Sequence, residues 1–134
     1  MKHIFTVRRV AFFVILILSL VVLFHFFVLL NIIPYHIVWG GRIKDRSQLL
    51  LFETVSIAIN LLMLAVVVIK SKLFQLQIHQ KFITFSLWVM FGLFLLNTLG
   101  NVFSINHFER VVFTPLTLVL ALCCLKLALS KSND

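Results

Sequence analysis

An all-α membrane protein, with four transmembrane helices in an up-down antiparallel bundle, is the fold class that three observations predict. The chain is 62% hydrophobic and 12% charged, with a mean hydropathy of +1.14. Soluble domains carry about 25% charged residues, so too little polar surface is present to coat a soluble fold. Apolar runs fill 10–33, 49–69, 82–104 and 111–129, each near the roughly 20 residues that a helix needs to cross hydrocarbon. Lys and Arg gather at the ends of these runs, where cations set topology and meet lipid headgroups. At 134 residues, 1–134 reads as a single four-helix transmembrane domain.

The first run follows Lys2, Arg8 and Arg9 and is interrupted only by Ser19, His25 and Asn31. It exceeds the roughly 7–15 apolar residues of a cleaved signal peptide and has no small-x-small site. It therefore reads as a retained span that stops before Pro34. The connection 34–48 is the most polar passage of the chain. Gly40-Gly41 marks a turn, Tyr35 and Trp39 suit an interfacial belt, and Arg42, Lys44 and Arg46 suit headgroups or water. Asp45 with Gln48 three residues on has the spacing of a capping box opening the second helix.

Lys70 and Lys72 close the second span, and 70–81 makes a short basic connection. After the third span, Asn106 and Glu109 repeat the capping-box spacing, so Glu109 is expected to serve the start of the fourth helix. Pro115 falls in that helix's opening turns, where a missing N–H costs little. Spacings of Gly, Pro and polar residues show no internal repeat, and the inverted-repeat design of larger transporters is not visible.

Orientation follows from the 12 Lys and Arg. With the N-terminus inside, eight lie on the cytoplasmic side (Lys2, Arg8, Arg9, Lys70, Lys72, Lys81, Lys126, Lys131) and four outside (Arg42, Lys44, Arg46, Arg110). Both termini are thus expected in the cytoplasm. The compactness of the chain suggests a bacterial plasma membrane. A net charge of +8 does not point to nucleic acid, because its cations sit at span ends and no soluble region presents them as a surface.

Polar residues inside the spans cluster toward the outer side under this topology. Glu53, Ser56 and Asn60 share one face of the second helix; Asn97, Gly100, Asn101 and Ser104 share one face of the third. The fourth carries a small-residue stripe of Thr114, Thr117, Ala121, Cys124 and Ala128. These stripes are candidates to face one another, because small residues let membrane helices approach and amides or hydroxyls bond across them. They read either as interhelical glue or as the walls of a polar pocket.

The candidate ligand or coupling residues are Glu53, Asn60, Asn97, Asn101, His25, His36, Arg42 and Thr117. Glu53 leads, because an ionised carboxylate within a span is costly unless paired or wet. Its expected structural partners are Arg42 or Arg46. On the functional reading, Glu53→Gln should disable activity more completely than Glu109→Gln. His25 is expected to bond across helices to Asn60. His36 and His107 share the outer side, and Trp39-Gly40-Gly41-Arg42 has the makings of either a tight turn or an anion clamp.

No H-x-x-H, H-E-x-x-H or Cys/His spacing suggests a metal, and adjacent Cys123 and Cys124 do not suit a mutual disulfide. Neither a metal nor a cofactor is expected. The absence of a nucleophile–base pair or phosphate loop argues against an enzyme.

Length and span count resemble those of the small multidrug resistance transporters. The resemblance covers architecture alone: that family's membrane-embedded glutamate in the first helix has no counterpart in 10–33. The leading expectation is a non-catalytic membrane module that binds a lipid-like, amphiphilic ligand or a membrane protein partner through a polar pocket at the extracytoplasmic face. The alternative is an oligomeric small transporter or flippase, minimally a homodimer, with Glu53 as coupling carboxylate.

Overall fold

The computed structural model describes residues 6–37, 39, 42–74 and 76–130. Among the described residues every regular element is helical: α1 Val7–Leu29, α2 Arg46–Ser71, α3 Gln80–Val102 and α4 Thr114–Leu129. A short 3-10 turn spans Tyr35–Ile37, and a π-helical turn, Glu109–Phe113, runs directly into α4. Counting that turn with α4, all four helices are long and apolar enough to cross a membrane.

Helix ends follow hydrogen bonding rather than hydropathy, which shifts the boundaries expected from the apolar runs. α1 starts three residues before 10, because the Thr6 hydroxyl accepts the Arg9 N–H at 3.3 Å. It stops at Leu29 rather than 33. Asn31 turns left-handed at φ 62°, and the N–H groups of Ile32 and Ile33 fold back onto the Phe27 carbonyl. Asn tolerates that conformation better than a branched residue, and Pro34 could not have continued the helix.

α2 opens on the expected cap in altered form. Asp45 Oδ1 accepts the Gln48 N–H at 2.8 Å, while Gln48 Oε1 takes the Lys44 N–H at 2.9 Å. The helix therefore begins at Arg46 rather than 49, and it runs past 69 to Ser71, where Lys72 goes left-handed. α3 starts at Gln80 instead of 82, capped by His79 Nδ1, and closes at Val102, leaving Ser104 outside it. The fourth helical stretch begins at Glu109 rather than 111. Pro115 has no N–H to offer the Val111 carbonyl, and the chain widens there into the π turn.

α1 packs chiefly on α2 and α3 chiefly on α4, with narrower contacts between the two pairs. The main core unites Val14 and Leu18 of α1, Val67 of α2, Leu87 of α3, and Leu120, Cys124 and Leu127 of α4. These come from one half of the bundle. Ala121, Cys124 and Ala128 are buried, so the small-residue stripe of α4 lets its neighbours come close. A smaller cluster of Val28, Ile43 and Leu49 closes the opposite end, beside the α1–α2 connection.

Two bonds tie the ends. Asn106 Nδ2 donates to the His36 carbonyl (3.4 Å), joining the α1–α2 and α3–α4 connections. At the far end Lys70 Nζ donates to the Ser130 carbonyl (3.2 Å). Outward faces are apolar, with Leu16, Leu62, Phe85, Leu96 and Leu122 all exposed.

Candidate ligand cavity and its ionisable wall

Glu53 lies on the buried face of α2 with Leu49, Ser56 and Ile57, at helical spacings of three and four. That face looks at α1, where His25 continues the buried line of Val22 and Val28. His25 Nδ1 and Glu53 Oε2 meet at 2.6 Å. The second oxygen, Oε1, accepts the Trp39 indole N–H at 3.1 Å. A carboxylate with no exposed surface is thus held by two ring nitrogens, one from α1 and one from the connection. Burying an acid is tolerable only when its oxygens are so engaged.

These partners replace the expected ones. Arg42 and Arg46 are both exposed and neither pairs with Glu53. Glu53 faces inward, and an imidazole reaches it without stripping water from a guanidinium. Nor does His25 meet Asn60, whose amide instead donates to the Ser56 carbonyl of its own helix at 2.8 Å. Trp39 adopts a left-handed backbone (φ 56°), unusual for a bulky residue. Its N–H bond to Glu53 and its packing on Phe52, with ring centroids 5.0 Å apart, hold it there.

A second buried acid stands at the start of the π turn. Glu109 Oε2 accepts the Ser104 hydroxyl at 2.7 Å, and the Glu109 N–H is capped by Asn106 Oδ1 at 3.1 Å. The capping role of Asn106 is as the spacing implies. The reciprocal bond differs: the Asn106 N–H goes to Ser104 Oγ (3.0 Å), which sits between the two ends of the box.

Between the helix pairs lies a cavity of about 470 Å³, lined by residues of all four helices and by Trp39 and Arg42 of the connection. This is within the size range of small-molecule sites. Its wall is polar near the joined connections, with His25, Trp39, Arg42, Asn97, Asn101 and Glu109. One to three helical turns deeper it becomes apolar, with Ile17, Leu20, Val21, Phe94, Leu116 and Leu120. From His25 to Ile17 the descent is about 12 Å at 1.5 Å per residue. Ser56, Asn60 and Thr117 add polar groups to the deeper wall, Asn60 with its amide turned back on Ser56, and Phe24 and Phe113 stand among the polar residues near the connections. Leu20 and Leu96 line the cavity while more than half exposed, at 52% and 65%, so it reaches the apolar outer surface.

Of the eight candidates, His25, Arg42, Asn60, Asn97, Asn101 and Thr117 line this cavity. Glu53 lies behind His25 and Trp39, and His36 meets the neighbouring connection through its carbonyl. Thr117 is a junction between α3 and α4: its hydroxyl meets Thr98 Oγ1 at 2.9 Å and Asn101 Nδ2 at 3.4 Å, and also bonds the Phe113 carbonyl at 2.8 Å. The His107 ring meets Arg110 Nη2 at 3.4 Å. Gly40 and Gly41 of the suggested anion clamp lie outside the described residues, and only its Arg42 can be placed.

Two contributors escaped the sequence reading: Glu109 as a wall residue and Trp39 as a partner of Glu53. For Trp39 a signal existed. An indole that packs against protein needs an acceptor for its N–H, and Glu53, an acid inside the next helix, is one that itself needs a donor. Comparison of the chain with protein-family models, curated proteins and solved structures gave no match.

Proposed function

We propose that this chain is an integral membrane protein whose four helices cross the bilayer up and down, antiparallel, with both termini cytoplasmic. We further propose that it binds one lipid-like amphiphile in its cavity without transforming it. The apolar outward faces and the eight-to-four division of Lys and Arg support the first part. One observation carries the second: a cavity whose ionisable side chains gather toward the joined connections and whose wall below them is mainly apolar. Such a gradient matches a molecule with a head at the extracytoplasmic face and a tail within the bilayer. Leu20 and Leu96 offer a side entrance from lipid.

Native mass spectrometry of the protein in mild detergent tests this reading. Gly100 lines the cavity, and no heavy atom lies within 4 Å of the point where a Cβ would stand. A Cβ is therefore free to stand there, and Gly100→Phe sets a bulky ring at the cavity wall. A bound amphiphile on the wild type, lost in Gly100→Phe, is the expected result. Equal occupancy in both, or none in either, counts against the proposal.

A second reading, transport by an oligomer with Glu53 as coupling carboxylate, draws on the Glu53–His25 contact beside the cavity. It requires uptake into proteoliposomes driven by a pH gradient and abolished by Glu53→Gln.

A further inference from the structure

We infer that the ligand is an amphiphile with an anionic head, and that Arg42 is the residue that selects it; this rests on the cavity-binding reading above. Three ionisable side chains stand on the wall: His25, Arg42 and Glu109. His25 is committed to Glu53, and Glu109 takes the Ser104 hydroxyl. The Arg42 side chain is exposed at the cavity's polar end, and among the described residues it forms no hydrogen bond or ion pair; only its backbone N–H is engaged, by the Trp39 carbonyl at 3.1 Å.

A guanidinium offers five donors in a planar fork that fits a carboxylate or a phosphate. Such charge-assisted bonds are roughly twice as strong as neutral ones. A neutral head would leave the fork to water, and a cationic head would be repelled by it.

The apolar wall takes the tail. At about 470 Å³ the cavity is within the size range of small-molecule sites, and it opens to the apolar outer surface beside Leu20 and Leu96. A medium-length chain enters it with its head at the polar end, and any further length leaves through the side opened at Leu20 and Leu96. Leu20, Phe94, Leu116 and Leu120 form the apolar wall along which the chain lies.

The test measures affinity of the purified full chain in mild detergent for four probes: lauric acid, dodecyl phosphate, neutral monolaurin and inorganic phosphate. Both anionic amphiphiles should bind about tenfold or more tighter than monolaurin, as expected for one charged hydrogen-bonded contact. Arg42→Gln should erase that difference and Arg42→Lys should keep part of it, while Gly100→Phe should abolish binding of every amphiphile.

If monolaurin binds as well as the anions and Gly100→Phe still blocks it, the head assignment fails and the cavity reading stands. If inorganic phosphate competes as effectively as dodecyl phosphate, the site takes free anions and the inferred amphiphile is wrong. If Gly100→Phe leaves all binding intact, or no probe binds the wild type, both readings fall.

Discussion

His25 and Glu53, separated by 28 residues in the chain, face each other at 2.6 Å and join α1 to α2 at the level of the cavity mouth. The carboxylate is wholly buried and the imidazole is partly open, at 17% exposure. The ring also presents itself to the cavity, so whatever occupies that space touches the imidazole and not the acid behind it.

His25→Phe leaves the buried carboxylate with the Trp39 indole as its remaining donor. The expected loss of stability is about 3 kcal/mol, because breaking a buried pair strands the other partner. The double variant His25→Phe/Glu53→Leu removes both polar groups and should lose less than His25→Phe alone. Denaturant titration in mild detergent measures both, and strict additivity of the single effects would contradict a direct pair.

Trp39 lines the cavity, whereas Trp88 packs by its ring against Phe91 and is exposed elsewhere on α3. In a Trp88→Phe background the remaining indole fluorescence should change as an amphiphile binds, and Gly100→Phe should suppress the change. Trp39→Phe keeps the packing on Phe52 but loses the bond to Glu53, at a stability cost of about 1 kcal/mol.

Two threonines on α4 should respond oppositely to the same substitution. Thr117→Val removes the junction shared by Thr98 and Asn101 and should destabilise by about 1 kcal/mol. Thr114 Oγ1 is buried with no hydrogen-bond partner among the described residues. Thr114→Val deletes that unmet group at similar volume and should be neutral or stabilising by about 1 kcal/mol. Thermal unfolding of the two variants side by side checks the sign of each.

Topology is open to direct labelling. With Cys123 and Cys124 replaced by Ala, a cysteine at Arg42 should react with a membrane-impermeant thiol reagent added outside cells. A cysteine at Lys72 should react only after the membrane is permeabilised. The reverse pattern would invert the bundle and place the cavity mouth in the cytosol.

Four helical stretches were legible from hydropathy alone, because an apolar run of that length leaves the backbone few other ways to satisfy its N–H and C=O groups in lipid. The caps at Asp45 and Asn106 could also be read, since a capping bond joins residues only three apart. Periodicity placed Glu53, Ser56 and Asn60 on one face, and the burial of Glu53 and Ser56 agrees with that.

The company those residues keep was another matter. Whether Glu53 meets Arg42, Arg46 or His25 depends on how far α1 slides and turns against α2, and spacing along one helix carries no information about its register with the next. The same holds for the cavity, which exists because Phe94, Leu116 and Leu120 pack without filling the space beneath Arg42. Local chemistry chose the helices and their polar faces; long-range packing alone chose which faces touch and where a void remains.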